Sequence, residues 1–219
     1  MDLIKKALDT ILFDEDEALL SARLTDGSEK SRVAVLVGDN ASGKSLFVRL
    51  LTQFCKDAKP RREPLQVSMR HRTATGMHRA FMYGALGDEI DSTGNVSMIA
   101  LTGAVSTAKG RDTPNWLMLD EPDTGLSESY ARALGNWLAQ EFEGLGAKTE
   151  GVVLVTHSRA LVESLFRHSI HRPWFVHMGG TQTPEEWLAD TTERSVADLL
   201  GMAERSMTLY RAIHHRTHS

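Results

Sequence analysis

Two clusters of residues in this chain have the types and spacing for phosphate chemistry. The first is Gly38-Asp39-Asn40-Ala41-Ser42-Gly43-Lys44-Ser45. Its two glycines permit backbone conformations in which successive amides point inward at phosphate oxygens. Lys44 would reach the β- and γ-phosphates of a bound nucleotide, and Ser45 would offer a hydroxyl to Mg2+. The second cluster closes the apolar run Trp116-Leu117-Met118-Leu119 with Asp120-Glu121-Pro122. Asp120 would hold Mg2+ opposite Ser45, while Glu121 would orient and deprotonate an attacking water. Two acids after an apolar run also suit an ordinary strand-ending turn; the phosphate loop upstream is what asks for a carboxylate there. A third apolar run, Val152 to Val155, leads to Thr156-His157-Ser158. There His157 would bond the γ-phosphate or the attacking water, or else serve as a structural histidine. Together these residues point to a nucleotide hydrolase.

The elements that must position this chemistry follow from hydrophobic patterning. Arg32 to Val37 reads as a buried strand feeding the loop, and Leu46, Phe47, Leu50, Leu51 and Phe54 recur at helical spacing from Lys44 to about Cys55. Leu65 to Met69 reads as a short strand and Asn95 to Thr107 as a helix rich in small residues. Trp116 to Leu119, Val152 to Val155 and Trp174 to His177 read as further strands. The helices between them span Ser127 to Phe142 and the stretch to about His168. Strands that are apolar throughout, alternating with helices, predict an α/β fold with a mostly parallel sheet covered on both faces. Ile11 to Phe13 and Ala18 to Leu24 suggest a small antiparallel β region before the loop. The whole chain, 1–219, reads as one domain with a helical tail over about 184–219. Within that tail Val196, Leu199, Leu200, Ala203, Met207 and Tyr210 form an amphipathic pattern.

Composition bounds the setting. No apolar run approaches the ~20 residues a membrane helix needs, and the first residues lack a signal-peptide core. The expectation is therefore no direct membrane insertion and a cytoplasmic location, which the single Cys55 fits. A net charge of −4 conceals an asymmetry: seven Lys/Arg against two acids from Lys56 to Arg79, and eight acids against two basic residues from Asp112 to Glu150. Either these are two solvated faces, or Arg61, Arg62, Arg70 and Arg72 form a patch for a nucleic acid.

In order and type, the phosphate loop, Leu-Met-Leu-Asp-Glu-Pro-Asp-Thr-Gly-Leu-Ser and Val-Leu-Val-Thr-His-Ser resemble the ABC-type ATPase superfamily over about 120 residues. The resemblance implies a P-loop NTPase fold with ATP and Mg2+ bound. It makes Asp120 the end of Walker B, Glu121 the catalytic glutamate, Asp123 to Ser127 the D-loop and His157 the switch histidine. It also implies an ATP-dependent, head-to-tail homodimer in which a signature segment of the opposite subunit completes each nucleotide site. The family's usual LSGGQ is absent. Asp91-Ser92-Thr93-Gly94-Asn95 is the candidate replacement, with Ser92 and Gly94 facing the γ-phosphate in trans; a simple helix N-cap is the other reading.

Ser92 follows Lys44 by only 48 positions. Transporter members of the family hold a helical subdomain in a longer interval, so here that subdomain is expected to be reduced. This favours the branch similar to SMC-, RecF- and defence-type ATPases, with an unidentified partner protein in nucleic-acid maintenance or phage/host defence. The alternative is the nucleotide-binding subunit of a membrane transporter. Gln66, in the strand between, is a candidate γ-phosphate sensor. Phe13 is a candidate for stacking on adenine or for the core.

Overall fold

Buried strands dominate the centre of the molecule because every residue of β2 (Val33–Gly38), β4 (Asn115–Asp120) and β6 (Trp174–Met178) lies out of solvent. The computed structural model describes residues 1–10, 21–25, 27–68, 93–202, 204, 207–208 and 211. Three further strands are β1 (Ala22–Thr25), β3 (Glu63–Ser68) and β5 (Thr149–Val155). The helices are α1 (Asp2–Leu8), α2 (Lys44–Asp57), α3 (Thr93–Gly110), α4 (Glu128–Glu143), α5 (Arg159–His168), α6 (Pro184–Ala189) and α7 (Val196–Leu200).

The six strands form one mixed sheet in the order β1-β6-β2-β5-β4-β3. All pairs are parallel except β1 with β6, which is antiparallel at the sheet edge. Alternate residues of the central strands β2, β4, β5 and β6 feed two separate cores. On one face Val35, Val37, Leu119, Leu154 and Phe175 meet Leu101 of α3, Leu138 of α4, Leu161 of α5 and Trp187 of α6. On the other, Leu36, Met118, Val155 and Val176 meet Ile4 of α1 and Phe47 and Leu51 of α2. Helices on both faces explain why these strands read as unbroken apolar runs rather than as an alternation.

The expected α/β sheet is therefore present, with three differences. The antiparallel strand is Ala22–Thr25 and joins the main sheet; Ile11–Phe13 lies outside the described residues. Helix α1 was not legible as an element, although Ile4 and Ala7 are its buried positions. The helical tail is not one unit: α6 starts at a capping box on Thr183, and its Trp187 belongs to the core. Only from α7 onward are Val196, Leu199, Leu200 and Met207 exposed; Ala203 and Tyr210 lie outside the described residues. No helix among the described residues is long and apolar enough to cross a membrane.

Candidate phosphate-binding edge of the sheet

The first component is the loop leaving β2. Gly38 sits opposite Met178 in the β2–β6 register with φ 140°. A Cβ there would lie 2.2 Å from the Met178 carbonyl oxygen and 2.8 Å from Ser42 Oγ, so only glycine fits. Ala41 (φ 63°) and Gly43 (φ 94°) turn the chain through left-handed conformations into α2, whose first residue is Lys44. The Lys44 side chain is buried, and its Nζ donates to the carbonyls of Gly38 and Asp39, both at 2.7 Å. Ser42 Oγ is buried without a hydrogen-bond partner. A non-glycine residue in the left-handed region and an unsatisfied buried hydroxyl are both costs that functional loops carry.

Asp120 is the second component. It ends β4 level with Ser68 of β3, and Ser68 Oγ donates to Asp120 Oδ2 at 2.9 Å. The other oxygen, Oδ1, is buried and has no hydrogen-bond partner. A buried carboxylate oxygen left bare in this way suits a cation, which needs an oxygen ligand and tolerates no competing donor. Among the described residues no group of three or more His, Cys, Asp or Glu could hold a metal unaided. A single carboxylate of this kind suits an ion that keeps several waters in its shell.

The following turn carries the third component. Glu121 adopts φ 53° while its N–H donates to the Val155 carbonyl at 2.8 Å, so the turn leaves β4 sharply and still satisfies the backbone. Glu121 Oε1 lies 3.3 Å from His157 Nε2. Behind this pair, the buried Thr156 donates through Oγ1 to Asp123 Oδ1 at 2.6 Å and accepts from the Ser158 N–H at 2.9 Å. Burial pushes the Asp123 carboxyl above its ordinary value, against the lowering effect of the Thr156 hydrogen bond.

Register brings the three components to one edge. Leu36 of β2 pairs with Val155 of β5, and Val155 pairs with Asp120 of β4. The loop leaving β2 therefore begins two residues beyond the level of Asp120, across one intervening strand. Two strand spacings separate β2 from β4 by about 10 Å. Carboxyl ends of parallel strands are where open α/β sheets bind ligands.

The other expected residues have these positions. Gln66 is exposed and pairs with Met118, two residues short of Asp120; Ser68 occupies the Asp120 level instead. Gly94 lies in the first turn of α3, where a Cβ would meet Leu126 Cδ2 at 2.7 Å, and Ser97 Oγ donates to the Thr124 carbonyl at 3.2 Å. Within one subunit, the start of α3 thus lies against the turn after Glu121. Arg62 is ion-paired with Glu150, so its charge is already compensated, whereas Arg61 is exposed. Asp91, Ser92, Arg70, Arg72 and Phe13 lie outside the described residues.

Sequence reasoning missed Ser68 and Thr156. Each is a hydroxyl residue at the carboxyl end of a strand, a signal visible only once the register aligns the strand ends. A cleft of about 750 Å3 borders Asp123 and His157 between α4, α5 and α6, and none of its lining residues belongs to the phosphate loop. No protein-family model matches the chain, and no curated protein matches it either.

Proposed function

We propose that this chain is an ABC-type ATPase that binds and hydrolyses ATP. The observation that carries the proposal is the meeting, at one sheet edge, of a glycine-built loop ending in Lys44 with a buried carboxylate oxygen of Asp120 that has no hydrogen-bond partner. Lys44 would exchange the Gly38 and Asp39 carbonyls for β- and γ-phosphate oxygens, and the amides of residues 39–45 would bind the triphosphate at the start of α2. Ser45 and Asp120 would hold Mg2+, which supplies charge neutralisation at the phosphates when bound. Glu121 would take a proton from water as the water oxygen bonds to the γ-phosphorus and the bond to the bridging oxygen breaks, leaving ADP and phosphate. His157, with Nε2 beside Glu121, would hold that water or the γ-phosphate.

By the same resemblance, ATP would join two copies head to tail, and opening after hydrolysis would move a partner protein in nucleic-acid maintenance or defence. The test is nucleotide binding, phosphate release and size measurement on three proteins. Wild type should bind MgATP and release phosphate, and Lys44→Ala should lose affinity. Glu121→Gln should keep binding, turn over at least about 100-fold slower and accumulate as dimer with ATP. A wild-type protein that ignores MgATP, or Glu121→Gln hydrolysing at the wild-type rate, overturns the proposal.

A further inference from the structure

Beyond β6 the chain turns back along the outer side of the phosphate loop. A Cβ on Gly179 would lie 3.1 Å from Ser42 Cβ, and one on Gly180 would enter the ring of the buried His177. The Gln182 N–H donates to His177 Nδ1 at 3.2 Å, and Gln182 Nε2 donates to Asp190 Oδ2 at 3.0 Å. The Thr192 N–H then donates to Asp190 Oδ1 at 2.9 Å. These bonds pin the segment from Gly179 to Thr192 and deliver Arg194 to the loop. There its Nη2 donates to Asp39 Oδ2 at 2.5 Å.

Asp39 is the second residue of the glycine-built loop, and a carboxylate is the wrong charge for a site that receives a polyanion. Both side chains of the pair are mostly exposed, at 63% for Arg194 and 68% for Asp39. Such a pair adds little to folding. Its effect lies in the local potential, because a paired Asp39 repels phosphate far less than a bare one.

We infer that Arg194 is a positioning residue of the nucleotide site, cancelling the charge of Asp39 and thereby making nucleotide affinity depend on the C-terminal segment. This rests on the reading of residues 38–45 as a nucleotide loop. Arg194 acts through Asp39, so neutralising Asp39 removes the need for it. A purely structural tether lacks that property.

The experiment is calorimetric titration of the full chain with MgATP at low and high salt, with thermal unfolding recorded in the absence of nucleotide. Lys44→Ala serves as the control for the site itself. Arg194→Ala should bind about 5-fold more weakly than wild type at low salt, with the gap closing as salt screens the bare carboxylate. Its ligand-free melting temperature should match wild type. Asp39→Asn alone should bind about as wild type does, and adding Arg194→Ala to it should leave affinity near the wild-type value. If wild type binds, Lys44→Ala does not, and Arg194→Ala equals wild type, the inference fails while the nucleotide site stands. A double variant as weak as Arg194→Ala also overturns it, since the arginine would then act without Asp39. If wild type does not bind MgATP, or Lys44→Ala binds equally well, the site reading falls and the inference falls with it.

Discussion

Ser68 Oγ and Asp120 Oδ2 are joined at 2.9 Å across the β3–β4 pair, and this bond leaves Asp120 Oδ1 as the bare oxygen. If Asp120 holds a cation as proposed, Ser68 would fix which carboxylate oxygen meets it. Partners that orient a metal-holding carboxylate typically contribute about 10-fold to metal affinity. Ser68→Ala should raise the Mg2+ concentration for half-maximal ATP hydrolysis by about that factor, with maximal rate nearly retained. A Mg2+ titration of phosphate release measures it. An unchanged midpoint would remove Ser68 from the site.

The Glu121–His157 approach of 3.3 Å makes a second claim about division of labour. Glu121 is held by a backbone turn, and His157 by the end of β5, so deleting the imidazole leaves the carboxylate in place. His157→Ala should lower kcat by about 100-fold while changing ATP affinity little. Single-turnover hydrolysis beside equilibrium binding separates the two quantities. A variant that loses binding in proportion to rate would assign His157 to nucleotide binding instead.

Half-buried Asp123 gives the stability of the protein a pH dependence of known sign. Its carboxyl is raised above the ordinary 3.8, so the folded chain keeps the proton to higher pH than the unfolded chain does. The contribution of this group to stability is present in acid and is lost as pH rises from 3.8 through the folded value. Asp123→Asn retains an acceptor for Thr156 and carries no charge. Its melting temperature relative to wild type should therefore rise between about pH 4 and pH 7. A constant difference across that interval would mean that burial does not penalise the carboxylate.

Much of this edge was legible in the chain because its determinants are local. Gly38, Gly43 and Lys44 announce their loop through spacing, and Asp120, Glu121 and His157 announce themselves by ending apolar runs. The central strands were equally plain, since burial on both faces removes polar interruptions. What escaped was set by register and by contacts distant in sequence. Ser68 acquires meaning only when β3 lies beside β4, and Thr156 only when the turn after Glu121 brings Asp123 to it. Gly94 read as a glycine facing a nucleotide of the opposite subunit or as part of a helix cap, and its closeness to Leu126 within the subunit is a contact that local pattern does not reveal. Where Gln66 stands, two residues before the level of Asp120 and exposed, likewise emerges only from register. The pair Asp39–Arg194 spans 155 positions, beyond the reach of any local pattern.

Cys55 offers a reporter for nucleotide binding at the far end of the helix that begins with Lys44. It is fully buried on the inner face of α2, within the core formed by Phe47, Leu51, Met118 and Trp174. Burial pushes its thiol up from 9.0 to about 11, so the native protein presents neither an accessible sulfur nor a thiolate at neutral pH. Reaction with a disulfide reagent at pH 8 should therefore wait for unfolding of α2 from the sheet. A ligand that binds only the folded loop lowers the open population by a factor of one plus the ratio of its free concentration to Kd. MgATP at 100 times its Kd should slow labelling of Cys55 by about 100-fold, and Lys44→Ala should abolish that protection. Rapid labelling of the native protein would contradict the burial of Cys55. Labelling slowed by unfolding yet insensitive to MgATP in wild type would detach α2 from the nucleotide site.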